Sequence, residues 1–228
     1  MKNYLILIFL FITNISLSQE INSVNLGKQE FTNTTSGRIL NIDNKADNEI
    51  KGSVFLFENW NTSAFISLND GKKYKLNGLN YNVIKGQMGY KISEDSIYMI
   101  NPKILESVSI NNKLFKRFLD PEVLKKSFFE VLLINDKFEF LKKYHIRVKK
   151  GVYNKLTQQK ITPDSYVLKS TYFIKEEDEI KKIFLKKRAF LNFFEDKSEK
   201  IKKYVSQNKL SYKKEKDLKS IFNYYYTL

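Results

Sequence analysis

From Gly52 onward the chain breaks into short apolar runs separated by turn residues. Run 64–68 ends at Asn69-Asp70-Gly71, 72–76 at Asn77-Gly78, and 79–84 at Lys85-Gly86. Run 87–92 ends at Ser93-Glu94-Asp95, 96–100 at Asn101-Pro102, and 106–110 at Asn111-Asn112, with 113–118 following. Asn-Gly and Asp-Gly tolerate the positive φ of tight turns, so neighbouring runs are expected to pair antiparallel. Strands at this spacing predict a meander that forms a curved sheet, a sandwich or a barrel. Run 128–134 is mostly apolar on both faces, as a central strand would be, and Asn135-Asp136 turns it back. The next run alternates, with Phe138, Phe140, Tyr144, Ile146 and Val148 on one face and His145, Arg147 and Lys149 on the other. That pattern predicts a half-buried strand with a basic face. A further strand is expected over 166–174, after a loop around Thr162-Pro163-Asp164.

The period then changes. Ile201, Tyr204 and Val205 stand at helical spacing, as do Leu218, Ile221, Phe222 and Tyr225. Two helices are expected, separated by 208–211 with Ser211 as N-cap, and a shorter one over 187–194. The fold class is therefore α+β: an antiparallel β-meander over 52–185, followed by a helical hairpin over 186–228 that packs on it.

The first fifty residues read differently. Lys2 is followed by an apolar run over 4–12 and by the small residues Ser16 and Ser18. This is the form of a secretory signal peptide over 1–18, cut between Ser18 and Gln19, and the run is too short for a membrane span. Segment 19–51 is polar and weakly patterned and reads as an arm, with one strand over 37–42. The expected location is periplasmic or secreted. Without cysteine the chain can carry neither a lipid on cysteine nor a disulfide, so it is not a lipoprotein and its stability must come from an apolar core. No transmembrane helix is expected in the mature chain.

Charge sharpens this picture. The net charge is +15, from 36 Lys and only 4 Arg. Arginine supplies the bidentate contacts that nucleic-acid recognition favours, so nucleic acid is a poor fit as partner. Much of the lysine can come from A/T-rich codons, which also encode the abundant Asn, Ile, Phe and Tyr. Codon bias does not explain the distribution, however. Segment 19–110 is neutral, with 10 basic and 10 acidic residues, whereas 111–228 has 29 basic and 15 acidic. Such asymmetry points to an anionic partner, either a membrane surface or an acidic glycan. If the helical stripes face the protein, Lys202, Lys203, Lys213, Lys214, Lys216 and Lys219 are left outside. These six are the candidate anionic-surface residues.

Candidate chemistry is sparse. His145 is the only histidine, and without cysteine it cannot anchor the usual zinc site; between Tyr144 and Ile146 on an alternating strand it reads as a surface residue rather than a general base. The run Glu176-Glu177-Asp178-Glu179 lies beside lysines and reads as a solvated turn rather than an acid/base pair or calcium site. Trp60 is either a sugar-stacking platform or, more simply, the edge of a core. Asp95-Ser96-Ile97 has the form of a Bacteroidota O-glycosylation site, while Asn33-Thr34-Thr35 and Asn61-Thr62-Ser63 would accept N-glycans only in a eukaryotic secretory route. There is no dinucleotide fingerprint, Walker loop or nucleophile elbow, so no catalytic residue, metal or cofactor is expected.

Several segments together resemble a family of secreted Bacteroidota proteins, chiefly flavobacterial, with no assigned activity. They are Asp70-Gly71-Lys72-Lys73-Tyr74, Leu79-Asn80-Tyr81-Asn82, Phe128-Phe129-Glu130-Val131-Leu132 and Leu141-Lys142-Lys143-Tyr144. The ending Asn208-Lys209-Leu210-Ser211-Tyr212-Lys213-Lys214-Glu215, with Asp217-Leu218 and Tyr224-Tyr225, is similar as well. The resemblance implies a bacterial envelope setting and nothing about chemistry. The leading expectation is a non-catalytic exported envelope protein that acts by binding. A carrier of a lipid or other apolar ligand in a curved sheet lined by Phe and Tyr is the alternative. A hydrolase that the sequence does not reveal is the second alternative.

Overall fold

The computed structural model describes residues 28–41 and 50–228. The expected signal peptide and the start of the arm lie outside the described residues. Among the described residues strand makes up 47% and helix 19%, and all but one of the α-helices follow the last strand, so the fold is α+β. In chain order the elements are α1 (Lys28–Thr34), β1 (Gly37–Asn41), β2 (Ile50–Lys51), β3 (Ser63–Leu68), β4 (Lys73–Asn77), β5 (Leu79–Asn82) and β6 (Gln87–Ser93). They continue with β7 (Ser96–Ile100), β8 (Leu105–Ile110), β9 (Lys113–Asp120), β10 (Lys125–Ile134), β11 (Glu139–Lys149), β12 (Asp164–Glu176) and β13 (Glu179–Ile183). Helices α2 (Lys187–Asn192), α3 (Ser198–Gln207) and α4 (Glu215–Tyr225) complete the chain.

The strands form two sheets. The smaller has the order β1-β7-β6-β5, and the larger β4-β3-β8-β9-β10-β11-β12-β13, with β2 added parallel to β12. All other pairings are antiparallel, and the large sheet does not close into a barrel. Neighbouring runs fail to pair at two turns: β7 and β8, linked through Asn101-Pro102, lie in different sheets, and so do β4 and β5. Asn77-Gly78 does not join a hairpin, because β4 and β5 belong to different sheets. Only Gly78 separates them, at φ 89, a left-handed conformation that glycine adopts without strain. Its N–H donates to Thr62 O and its carbonyl accepts from Lys91 N–H, so it is a corner where the chain changes sheet.

The large sheet buries alternate positions along β3 and β4, whereas β5 and β7 of the small sheet are buried at consecutive positions. Strand β3 reads Ala64, Ile66 and Leu68 inward and β4 Tyr74 and Leu76, with exposed residues between. These pack against Leu79, Tyr81, Met88, Tyr90, Tyr98 and Ile100 of the small sheet. Phe31 of α1 closes this core, fully buried and edge-on to Tyr74 and Tyr90. The segment read as a polar arm therefore supplies an edge strand and a core residue. Among its described residues Phe31 is the one fully buried apolar side chain.

Parity along β11 shows how the large sheet is covered. Phe140 and Tyr144 share a face, yet Tyr144 lies in the core under the small sheet and Phe140 in the core under α2–α4. One face thus carries two covers side by side. On the opposite face Phe129, Leu141 and Phe173 pack with Phe118 of β9 and Ile180 of β13. Those two strands are four apart in the sheet, so the sheet curls around this face. Lys182 of β13 reaches Glu122 in the β9–β10 turn at 2.5 Å across the same curl.

Candidate functional site

The two C-terminal helices are amphipathic, and their apolar stripes are used up in packing. Ile201 and Val205 of α3 and Leu218, Ile221 and Phe222 of α4 are buried in the helical core. Tyr204 stacks on Tyr224 at 4.0 Å and ties the helices together. Phe222 meets the rings of Phe140, Phe190, Phe193 and Phe194 at 5.0–5.9 Å. With inward faces fixed, Lys202, Lys203, Lys213, Lys214 and Lys216 are exposed, and Lys219 on the flank of α4 is half-buried. Lys202 pairs with Glu199 of its own helix at 3.2 Å. The other five have no carboxylate within ion-pair distance among the described residues. Helix α4 begins at Glu215 with Lys214 at its cap position and no side-chain cap. Ser211 is not the N-cap expected of it. Its N–H donates instead to Asp217, which clamps the link between the helices.

Beneath α4 lies a polar seam between the two covers of the large sheet. Glu130, almost fully buried, accepts from Lys113 at 2.7 Å and from the Tyr144 hydroxyl. Glu215, at the start of α4, accepts from Tyr172 at 2.7 Å and from Lys142. The Lys142 ammonium sits 4.9 Å from the Tyr144 ring centroid and so joins the two triads. Burial raises both phenol pKa values, and the adjoining carboxylates, Glu130 for Tyr144 and Glu215 for Tyr172, raise them further. Burial alone would raise the Glu215 pKa, but hydrogen bonds from Lys142 and Tyr172 outweigh it and hold the carboxyl below its ordinary value. At neutral pH the two phenols therefore stay neutral and the Glu215 carboxylate stays ionised, and both seam carboxylates have their hydrogen-bond donors. The chemistry of the seam is that of an anchor holding α4 on the sheet.

The remaining candidates separate. His145 is half-buried rather than a plain surface residue, and burial followed by Arg147 and Lys143 lowers its pKa. Near it Lys143 meets the fully buried Asp120 at 2.5 Å. Glu176 to Glu179 form the β12–β13 turn as expected, but β13 begins at Glu179, a strand not foreseen. Glu176 accepts from the Tyr226 hydroxyl at 2.5 Å and so fastens the chain's end. Trp60 is half-buried, edge-on to Phe55 at 4.8 Å, and lines an open pocket of about 350 Å³ with Asn77, Lys91 and Glu94. Ser96 lies within β7 with its hydroxyl 3.4 Å from Asn41. Among the described residues no group of three or more His, Asp or Glu converges as a metal site requires.

The comparisons add no identity. No family model, curated protein or solved structure matches the chain. No helix among the described residues is long and apolar enough to cross a membrane. The seam escaped sequence reading because Lys142 and Glu215 meet across 73 positions. Its one visible signal was Glu130, a lone carboxylate inside the apolar run 128–134.

Proposed function

We propose that the chain is an exported, non-catalytic envelope protein that acts by binding, with its basic C-terminal half engaging anionic surfaces. One observation carries the reading: the apolar stripes of α3 and α4 are consumed by the core, which leaves Lys202, Lys203, Lys213, Lys214 and Lys216 on the outside. From 181 to 228 there are 14 basic and 5 acidic residues. A lysine near an anionic membrane contributes about 1 kcal/mol, and the contribution fades over roughly 10 Å at moderate salt. Several together suffice for attachment without a shaped pocket. Because they are ammonium groups rather than guanidinium forks, the binding has low specificity. The Phe and Tyr positions that would line a carrier's pocket pack on one another instead, as Tyr81 does on Phe115 and Phe128 at 5.8 Å. Export is supported by the pattern of residues 1–18, and the envelope setting by the resemblance to secreted flavobacterial proteins.

The test compares the wild type with a variant in which Lys202, Lys203, Lys213, Lys214, Lys216 and Lys219 are changed to Gln. Both are sedimented with vesicles containing phosphatidylglycerol. The wild type should pellet and the variant should be strongly depleted from the pellet. Equal pelleting of the two would remove the helices from the interaction.

A further inference from the structure

A second basic surface lies away from the helices. Strands β9 and β11 run in the same direction, so the β9–β10 turn and the β11–β12 loop close the same end of the large sheet. The β10–β11 ladder stops at Glu130↔Lys142 and the β12–β13 ladder at Tyr172↔Ile183, but β11 and β12 remain paired as far as Lys149↔Ser165. They project as a two-stranded ribbon, joined among the described residues by the short β2 near its end.

The loop at the end of this ribbon is built, not slack. Gly151 N–H donates to Asp164, and a Cβ on Gly151 would stand 1.8 Å from Thr162 O, so the two sides of the loop touch. Asp164 also pairs with Lys150 at 3.1 Å and Lys160 at 2.9 Å. The Gly151 N–H first, then the two lysines, hold its pKa well below the carboxylate range. Tyr153 bridges to Lys160, and Asn154 N–H donates to Gln159 O at 2.9 Å, which leaves 155–158 as the apex.

What this ordered loop presents to solvent is apolar. Leu156 at the apex is 95% exposed, and Val152, Tyr153 and Ile161 behind it are exposed too. On the neighbouring turn Val123 is exposed and Leu124 is 78% exposed. Leu124 stands at φ 54, a left-handed turn position where Gly or Asn is the ordinary choice. Single exposed apolar side chains need no explanation, but a group of them at one end of a sheet marks an interaction site. The surrounding charge identifies the partner. From 147 to 169 there are six basic residues against the single acidic Asp164. Lys125 and Lys126 add to them from the neighbouring turn, and like Lys149, Lys155 and Lys169 they are exposed.

We propose that this end of the sheet inserts into the interface of a bilayer carrying anionic lipid, with Leu156 leading. The apolar side chains enter the boundary between headgroups and acyl chains, and the lysines spread their stems and leave their ammonium groups among the phosphates. The inference shares with the proposed function the sign of the partner's charge, but it rests on different residues.

The chain has no cysteine, so a Leu156→Cys variant takes an environment-sensitive fluorophore at that position alone. Glu94→Cys, labelled in the same way, is the control, an exposed position in the β6–β7 turn that belongs to neither basic surface. With phosphatidylglycerol vesicles the label at position 156 should shift to the blue and be quenched by nitroxides on lipid acyl chains, and the label at 94 should do neither. If the protein pellets with the vesicles while position 156 stays unshifted, insertion is overturned and the helical reading stands. If the shift at 156 persists after the six helical lysines are changed to Gln, insertion stands and the helical reading falls. An equal shift with soluble heparin would overturn the membrane assignment. A Val152→Ser, Leu156→Ser, Ile161→Ser triple variant that keeps its circular dichroism should bind these vesicles at least fivefold more weakly. Unchanged affinity would contradict the proposal.

Discussion

Glu215 shows how one side chain couples the helices to the sheet. Its carboxylate takes hydrogen bonds from Lys142 and Tyr172, and removing it leaves Lys142 half-enclosed without its partner. Glu215→Ala should cost about 1–3 kcal/mol in urea unfolding, the usual cost of orphaning a buried polar group. Lys203→Gln, on the solvent side of α3, should stay within about 0.5 kcal/mol of wild type. Equal unfolding midpoints for the two variants would show that the seam is not an anchor. The pH dependence follows from the sign of the shift. The folded-state pKa of Glu215 lies below its unfolded value, so its contribution is present above the ordinary carboxylate range and is lost as pH falls through the folded value. In Glu215→Gln that acid-side loss of stability should be smaller, as unfolding midpoints at neutral and acid pH would show. Little of this was legible in the sequence, since hydrogen-bonded partners 14, 43 and 73 positions apart follow no period.

Elements were more readable than contacts. The apolar runs found β3 to β12 to within a few residues, because alternation and turn chemistry act locally. The failures have local causes. Strand β13 was hidden because Ile180 and Ile183 are split by lysines, and its edge position beside β12 comes from tertiary pairing. Helix α1 was hidden among polar residues, with Phe31 as its buried contact. Phe31→Ala should therefore cost about 3–5 kcal/mol, as should Phe222→Ala in the helical core. Unfolding followed by near-UV circular dichroism measures both. An unchanged midpoint for Phe31→Ala would mean that α1 is not docked on the β core, and one for Phe222→Ala that α4 is not docked on the sheet.

At the scale of the molecule the positive charge is gathered at two places. Residues 147–169 carry six basic groups and one acidic group, and 181–228 carry 14 and 5, while the β12–β13 turn between them is acidic. The sequence revealed the asymmetry between halves but not this division, because only the strand directions put the hairpin loop at one end of the sheet. The proposed export is tested separately from the binding. Mass spectrometry of envelope-recovered protein should find a chain starting at Gln19, and a mature pool that starts at Met1 would contradict export. Attachment to anionic surfaces by charge can be measured by sedimenting the unaltered protein with anionic and zwitterionic vesicles across a range of salt. Binding should occur with the anionic vesicles alone and fall steeply as salt rises. Equal binding to both kinds of vesicle, or binding indifferent to salt, would contradict attachment by charge.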